Sequence, residues 1–168
     1  MFFLYNLLEK NRERIILTLL KNVPKEVRAY ARVPKSELKE SIEHLYEAYT
    51  DLLVSGDSKN LQVIFKYVAR ARVAQSFKLS YILRAFLSFT PVMRAILQED
   101  FRKINGNGRA QFNQAMAQIE QTAFDATALF ADVFQEYLQS QVDEHNQYIQ
   151  LQNQKLGIDL SKFILFRG

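Results

Sequence analysis

Cysteine is absent from the 168 residues, which excludes a disulfide framework, a Cys-ligated zinc or iron–sulfur centre and a cysteine nucleophile. Glycine and proline are scarce, 5 and 3 residues, so collagen-like and loop-dominated folds are excluded and a turn-rich β-sandwich is disfavoured. Histidine occurs only as His44 and His145, leaving the whole stretch between Leu45 and Glu144 without an imidazole ligand. No apolar run approaches the ~18 residues of a membrane-crossing helix. Met1-Phe2-Phe3-Leu4-Tyr5 lacks the basic start and small-residue cleavage site of a secretory signal, so a reduced, cytoplasmic setting is expected. No dinucleotide, Walker-type, H-E-x-x-H or G-x-S-x-G pattern occurs, and a non-enzymatic role is expected.

What is present is an ordinary globular balance, 48% hydrophobic and 24% charged, at a length that suits one domain. The net charge of +4 conceals an asymmetry. Residues 1–108 carry a net +7, whereas residues 109–168 carry −3 and are rich in glutamine, including Gln111, Gln114, Gln118, Gln121, Gln135, Gln139 and Gln141.

Periodicity is helical almost everywhere, without an internal repeat. A first helix is expected from Phe3 to Lys21, interrupted by the all-polar Asn11-Arg12-Glu13-Arg14 and ended by Pro24. A short turn over Lys25–Arg32, closed by Pro34, leads to a helix over Ser36–Val54. There Leu38, Ile42, Leu45, Tyr49 and Leu52 share a face opposite Glu40, Glu43, Glu47 and Asp51. Gly56 suits the residue just past that helix, and Ser58 suits the cap of the next. Residues Asn60–Gln75 are apolar on several sides, the pattern of a central helix. A helical pattern over Leu79–Ile104 contains Pro91, which predicts a kink near Phe89–Thr90 or two abutting helices. Asn105-Gly106-Asn107-Gly108 reads as a turn. A very long helix is then expected over Arg109–Gln154, about 70 Å at 1.5 Å per residue. One of its stripes comprises Phe112, Met116, Ile119, Ala123, Ala126, Phe130, Val133 and Tyr137. The other comprises Phe124, Ala128, Ala131, Phe134, Leu138, Val142 and Ile149. The first stripe should pack on the chain's own bundle and the second on another chain. Past Val142 the stripe thins, so that end is expected to stand free or fray. Gly157 should end the helix before a short apolar tail, Lys162–Phe166.

Candidate chemistry is sparse. Asn105–Gly108 precedes a helix and could hold an anion, but without a preceding strand or a Lys-Ser/Thr pair it reads as a plain turn. Met93 and Met116 read as core filler before haem ligands. The acids of the second helix lie opposite its apolar face and lack Glu-x-x-His spacing, so a solvated acidic face is expected rather than a metal centre. Lys59, Lys66 and Arg70 form a basic ridge, with Arg72, Lys78 and Arg84 nearby, which could be a footprint for nucleic acid or an acidic protein partner, but a solvated face, or one that complements the acidic helix before it, is the favoured reading. No cofactor is expected.

Three segments together carry a resemblance: Leu7-Leu8-Glu9-Lys10-Asn11-Arg12-Glu13-Arg14-Ile15-Ile16, then Val68-Ala69-Arg70-Ala71-Arg72-Val73-Ala74-Gln75-Ser76-Phe77-Lys78-Leu79-Ser80, then Tyr81-Ile82-Leu83-Arg84-Ala85-Phe86. Across about Phe3–Tyr148 the chain resembles the globin-like N-terminal sensory domain of bacterial stressosome proteins, the RsbR/RsbRD N-terminal family. The resemblance implies an all-α, globin-like bundle without haem that dimerises through its last helices; with the long terminal helix ending near Gln154, one domain is expected over residues 1–154 ahead of a tail at 155–168. It also implies a sensory domain whose long terminal helix carries a change to an output partner. Two departures stand out. No output domain follows in the sequence, so the chain is expected to act alone or on a separate polypeptide. The family's usual glycine in the middle motif is replaced by Ser76 or Phe77.

The reading that follows is a homodimeric sensory or regulatory domain with a dimer interface at Phe124, Ala131, Phe134, Leu138 and Val142, and a partner surface at Lys59, Lys66 and Arg70. The alternatives are a globin-like haem or apolar-ligand protein, whose 13 Phe and 8 Tyr would wall a pocket of several hundred Å³, and a nucleic-acid binder using the basic ridge.

Overall fold

The computed structural model describes residues 2–103 and 108–157. Six α-helices occur among them, α1 (Phe2–Glu26), α2 (Lys35–Ser55), α3 (Lys59–Ala74), α4 (Leu79–Leu87), α5 (Phe89–Arg102) and α6 (Gly108–Lys155), with a 3-10 turn at Arg28–Arg32 and no strand. The chain is all-α with a long C-terminal helix. Residues up to Phe134 form one compact unit, and those from Gln135 onward a second. The Asn105–Asn107 part of the expected turn and the Lys162–Phe166 tail lie outside the described residues.

In the first unit, Pro24 does not end α1. The helix runs through it to Glu26, and the Val27 N–H still reaches the Val23 carbonyl at 2.9 Å. A proline in a last turn forfeits only one backbone bond. Buried Val23 and Val27 hold the turn in place. The polar middle of α1 is a set of clamps rather than a gap. Asn11 is buried and donates to the Leu7 carbonyl and to Asp100 Oδ2 of α5, both at 2.9 Å. Arg12 pairs with Glu47 of α2 at 2.6 Å and Arg14 with Glu99 of α5 at 2.5 Å. Polar residues therefore fix the register of α1 against two neighbours, while Leu8, Ile15 and Leu19 are fully buried beside them.

Two tyrosines of α2 extend the same logic. Tyr46 donates to the Leu8 carbonyl of α1 at 2.9 Å, and Tyr49 to the Ile119 carbonyl of α6 at 2.6 Å. Burial pushes both phenols well above their ordinary range, so they remain neutral donors. Around Phe130 of α6 the core is aromatic. Phe65 of α3 and Phe86 of α4 meet its ring edge-on at 5.1 and 4.8 Å and stack on each other at 5.2 Å.

The boundary between α2 and α3 shows one helix end that follows local chemistry and one that does not. Gly56 has φ +72° and its N–H closes on the Leu52 carbonyl at 2.9 Å, as a glycine past a helix end should. Ser58 makes no capping bond to α3. The carboxylate of Asp57 accepts from the Lys59 N–H at 2.9 Å instead. Pro91 resolves the α4–α5 pattern into two helices parted at Ser88, because in the first turn of α5 its missing N–H has no partner to lose.

The second unit is the remainder of α6, helical to Lys155, ending before Gly157 at φ +68°. Its apolar Leu138, Val142, Tyr148 and Leu151 are exposed.

Candidate functional site

Three surfaces or centres carry the residues singled out by pattern. On α6, Met116, Ile119, Ala123, Ala126, Phe130 and Val133 are buried, so the first stripe packs within the chain as its spacing predicts. The second stripe divides. Phe124 is 70% exposed, Ala128 is exposed and Ala131 half-buried. Phe134 is buried within its own unit, its ring 5.9 Å from Phe130. In the second unit Leu138 and Val142 are exposed.

On α3 the expectation of an all-round buried helix gives way. Leu61, Phe65, Val68 and Ala69 are buried on one side, while Val63 and Tyr67 are 68% and 61% exposed. Lys59, Lys66 and Arg70 are exposed on the side of Val63 and Tyr67. Among the described residues only Lys59 of the three has a carboxylate within reach, Asp57 at 4.0 Å.

Arg72 is not part of that ridge. Two residues past Arg70 means a rotation of about 200°, which puts it on the Leu61–Phe65–Val68 line, where it is 2% exposed. Its Nη1 donates to Glu37 Oε1 of α2 at 2.9 Å and to Gln75 Oε1 at 2.6 Å. Its guanidinium carbon lies 5.3 Å from the Tyr30 ring centre and 5.5 Å from that of Phe77. Arg32 lies 5.9 Å from the Phe77 ring as well. Burial pushes the Tyr30 phenol up to about 12, partly offset by the Arg72 charge, so the phenol stays protonated near neutral pH. The signal for this centre was present in the sequence: a charge in register with an apolar stripe. Its partners come from the 3-10 turn, α2 and the residues after α3, which no spacing links.

The backbone after α3 explains why a glycine belongs there. Ser76 has φ +61°, the Phe77 N–H reaches the Arg72 carbonyl and the Ser76 N–H the Val73 carbonyl, both at 2.9 Å. These are the two bonds of a Schellman ending, whose left-handed residue is usually glycine. The contact that normally seals it, between the residue after the turn and the third-last helical residue, is here Phe77 on Arg72.

Two small cavities lie among the helices, one of them bordering this region. One, of about 30 Å³, is lined by Val23, Tyr30, Ser41, Ile42, Arg72 and Phe89 among others, and the other, of about 20 Å³, by Tyr49, Phe65, Phe86, Ala126 and Thr127 among others. No histidine lines either one, and a haem needs an axial ligand and several hundred Å³. The aromatic residues expected to wall a large apolar pocket pack on one another instead. His44 and His145 are both exposed, and no cluster of three His, Asp or Glu side chains suited to a metal occurs among the described residues. No described helix is long and apolar enough to cross a membrane.

No curated protein and no solved structure matches the chain. A family profile does: that of the RsbT co-antagonist protein rsbRD N-terminal domain matches residues 10–148. Those bounds take in the α1 clamps, the Arg72 centre and α6 as far as Tyr148, so the chain belongs to this family of stressosome-type signalling domains.

Proposed function

We propose that the chain is a non-enzymatic sensory or regulatory domain that pairs with a second copy through α6 and engages a regulatory protein through α3. The domain on this reading occupies 1–154, with 155–168 as a tail. The observation that carries the pairing is the second stripe of α6. With its first stripe buried, the helix still presents Phe124 beside Ala128 and Ala131, and further on Leu138 and Val142. Exposed apolar residues of this kind, in each unit taken by itself, mark a contact surface. Phe134, already buried, supports that surface from beneath.

Light scattering across micromolar concentrations tests the pairing, with a mass twice the 19.6 kDa of the chain expected. Phe124→Glu and Leu138→Glu each remove apolar burial worth about 1.5–3 kcal/mol per side chain and force a carboxylate into the contact, so each should shift the mass to that of one chain without unfolding it. A single-chain mass for the unmodified protein overturns the pairing. Lys59, Lys66 and Arg70, interleaved with Val63 and Tyr67, fit an acidic protein surface with an apolar centre.

A further inference from the structure

We propose that the open cleft between the 3-10 turn and α4 is a binding site for a small phosphate monoester with hydroxyl groups on its organic part, the chemistry shared by sugar phosphates and mononucleotides. The cleft belongs to the first unit alone, and the proposal stands or falls without the pairing and docking surfaces above.

The inference starts from three arginines without counter-charges. Arg12, Arg14, Arg72 and Arg94 each reach a carboxylate. Arg28, Arg32 and Arg84 are exposed, and none of them has a carboxylate within ion-pairing reach among the described residues. All three nonetheless line one cleft of about 370 Å³, within the size range of small-molecule sites. Like charges gathered on one wall repel, so an anion placed among them relieves that repulsion. Arg28 and Arg32 open and close a five-residue 3-10 turn, and only the fold brings Arg84 of α4 to the same cleft.

The cationic wall is partly seated in advance. The guanidinium carbon of Arg32 lies 5.9 Å from the Phe77 ring centre, and Lys78 Nζ lies 5.8 Å from that of Tyr81. Those two rings meet edge-on at 6.4 Å. A cation held against a ring has less side-chain freedom left for a ligand to freeze. On α4, Tyr81 and Arg84 stand three residues apart and so share a face.

The donor set selects the anion. At neutral pH a phosphate monoester carries a charge of about −2 and three acceptor oxygens, and guanidiniums meet phosphate oxygens through paired N–H bonds. A carboxylate, with one charge and two oxygens, leaves part of the arginine set unmet. Bare phosphate leaves most of the cleft empty. The rest of the wall is the half-buried Tyr81 and Ala29 with the buried Val27, and Glu26 is the one carboxylate lining it. An aromatic ring and a single strong acceptor suit a sugar skeleton and its hydroxyls.

Occupancy reaches the pairing helix. Besides Tyr81 and Arg84, α4 carries Phe86, whose ring meets Phe130 of α6 edge-on at 4.8 Å. A ligand bridging Arg84 to the 3-10 turn therefore acts on a helix packed against α6, which gives a small solute a route to that helix.

Isothermal titration calorimetry of the whole chain at constant ionic strength tests the site, with ribose 5-phosphate, inorganic phosphate and ribose as probes. Ribose 5-phosphate should bind saturably, at least tenfold more tightly than inorganic phosphate, and ribose should give no binding heat. Adenosine monophosphate as a fourth probe separates the two sources: tighter binding than ribose 5-phosphate assigns a mononucleotide, weaker binding a sugar phosphate. Arg28→Met and Arg84→Met should each weaken ribose 5-phosphate at least tenfold. Arg102→Met, which removes an exposed arginine outside the cleft, should leave its affinity unchanged. Equal affinities for inorganic phosphate and ribose 5-phosphate would reduce the cleft to a general anion patch and overturn the proposal. The absence of saturable binding overturns it as well, as does an Arg102→Met variant weakened as much as Arg84→Met.

Discussion

Replacing Glu37 by Gln isolates the charge in the Arg72 centre while keeping an amide oxygen for Arg72 Nη1 and for Gln75, which donates to Glu37 Oε1 at 3.1 Å. Two unit charges about 4 Å apart interact by about 4 kcal/mol at an effective dielectric constant near 20. With Glu37 one-third exposed, solvent screening reduces this, and about 2–3 kcal/mol is expected. The same change also leaves Arg72, buried at 2% exposure, without a counter-charge, and uncompensated buried charge is what makes breaking such pairs costly. At about 2–4 °C per kcal/mol for a chain of this size, the melting temperature should fall by roughly 4–12 °C. The assay is urea denaturation of four proteins: the unmodified chain, Glu37→Gln, Arg72→Met and the double variant. In the Arg72→Met background, Glu37→Gln should cost less than about 0.5 kcal/mol, giving a coupling near 2 kcal/mol. Additive effects, or a Glu37→Gln variant as stable as the parent, would show that the tie carries no net energy and that aromatic packing alone holds Arg72.

Other outcomes follow from single features. Ser76→Gly should stabilise the chain by about 0.5–1 kcal/mol, because a left-handed residue with a side chain costs about 1–2 kcal/mol and glycine gives part of that back as unfolded-chain entropy; a lower melting temperature would contradict the assigned backbone. Asp100 is held below the usual carboxylate range, first by the Asn11 amide and then by Lys10 at 3.1 Å and Lys103 at 3.7 Å, against the opposing effect of burial. A depressed folded value means its contribution is complete above the unfolded value of about 4 and is lost as pH falls through the folded value. Asp100→Asn should therefore flatten the acid limb of the stability profile below about pH 4 and leave its shape above pH 6 unchanged. Phe134→Glu, unlike Phe124→Glu, should unfold the first unit rather than only separate two copies, since Phe134 is already buried against Phe130; circular dichroism distinguishes the two.

Helix content, an interruption near Pro91, the glycine end at Gly56 and the buried first stripe of α6 are determined by sequence alone. Each depends on residues three or four apart, or on one residue's own backbone preference. Pro91 alone leaves a kink and a division both open, and the structure parts α4 from α5 at Ser88. Tertiary structure decided everything that depends on which distant residue arrives opposite. Nothing local distinguishes Asn11 in a polar run from its neighbours until Asp100 of α5 is brought to 2.9 Å. Arg72 could be grouped with Arg70 by nearness in the chain, yet a rotation of about 200° sends one to water and the other beneath Tyr30 and Phe77. Phe134 and Phe124 share a stripe by spacing, and only the position of Phe130 beside Phe134 makes one a core residue and leaves the other exposed. Ser76 shows both levels at once. A serine rather than a glycine is visible in the sequence, but only the fold, by imposing φ +61° there, makes it matter: the packing of Phe77 on Arg72 holds the turn against serine's own backbone preference.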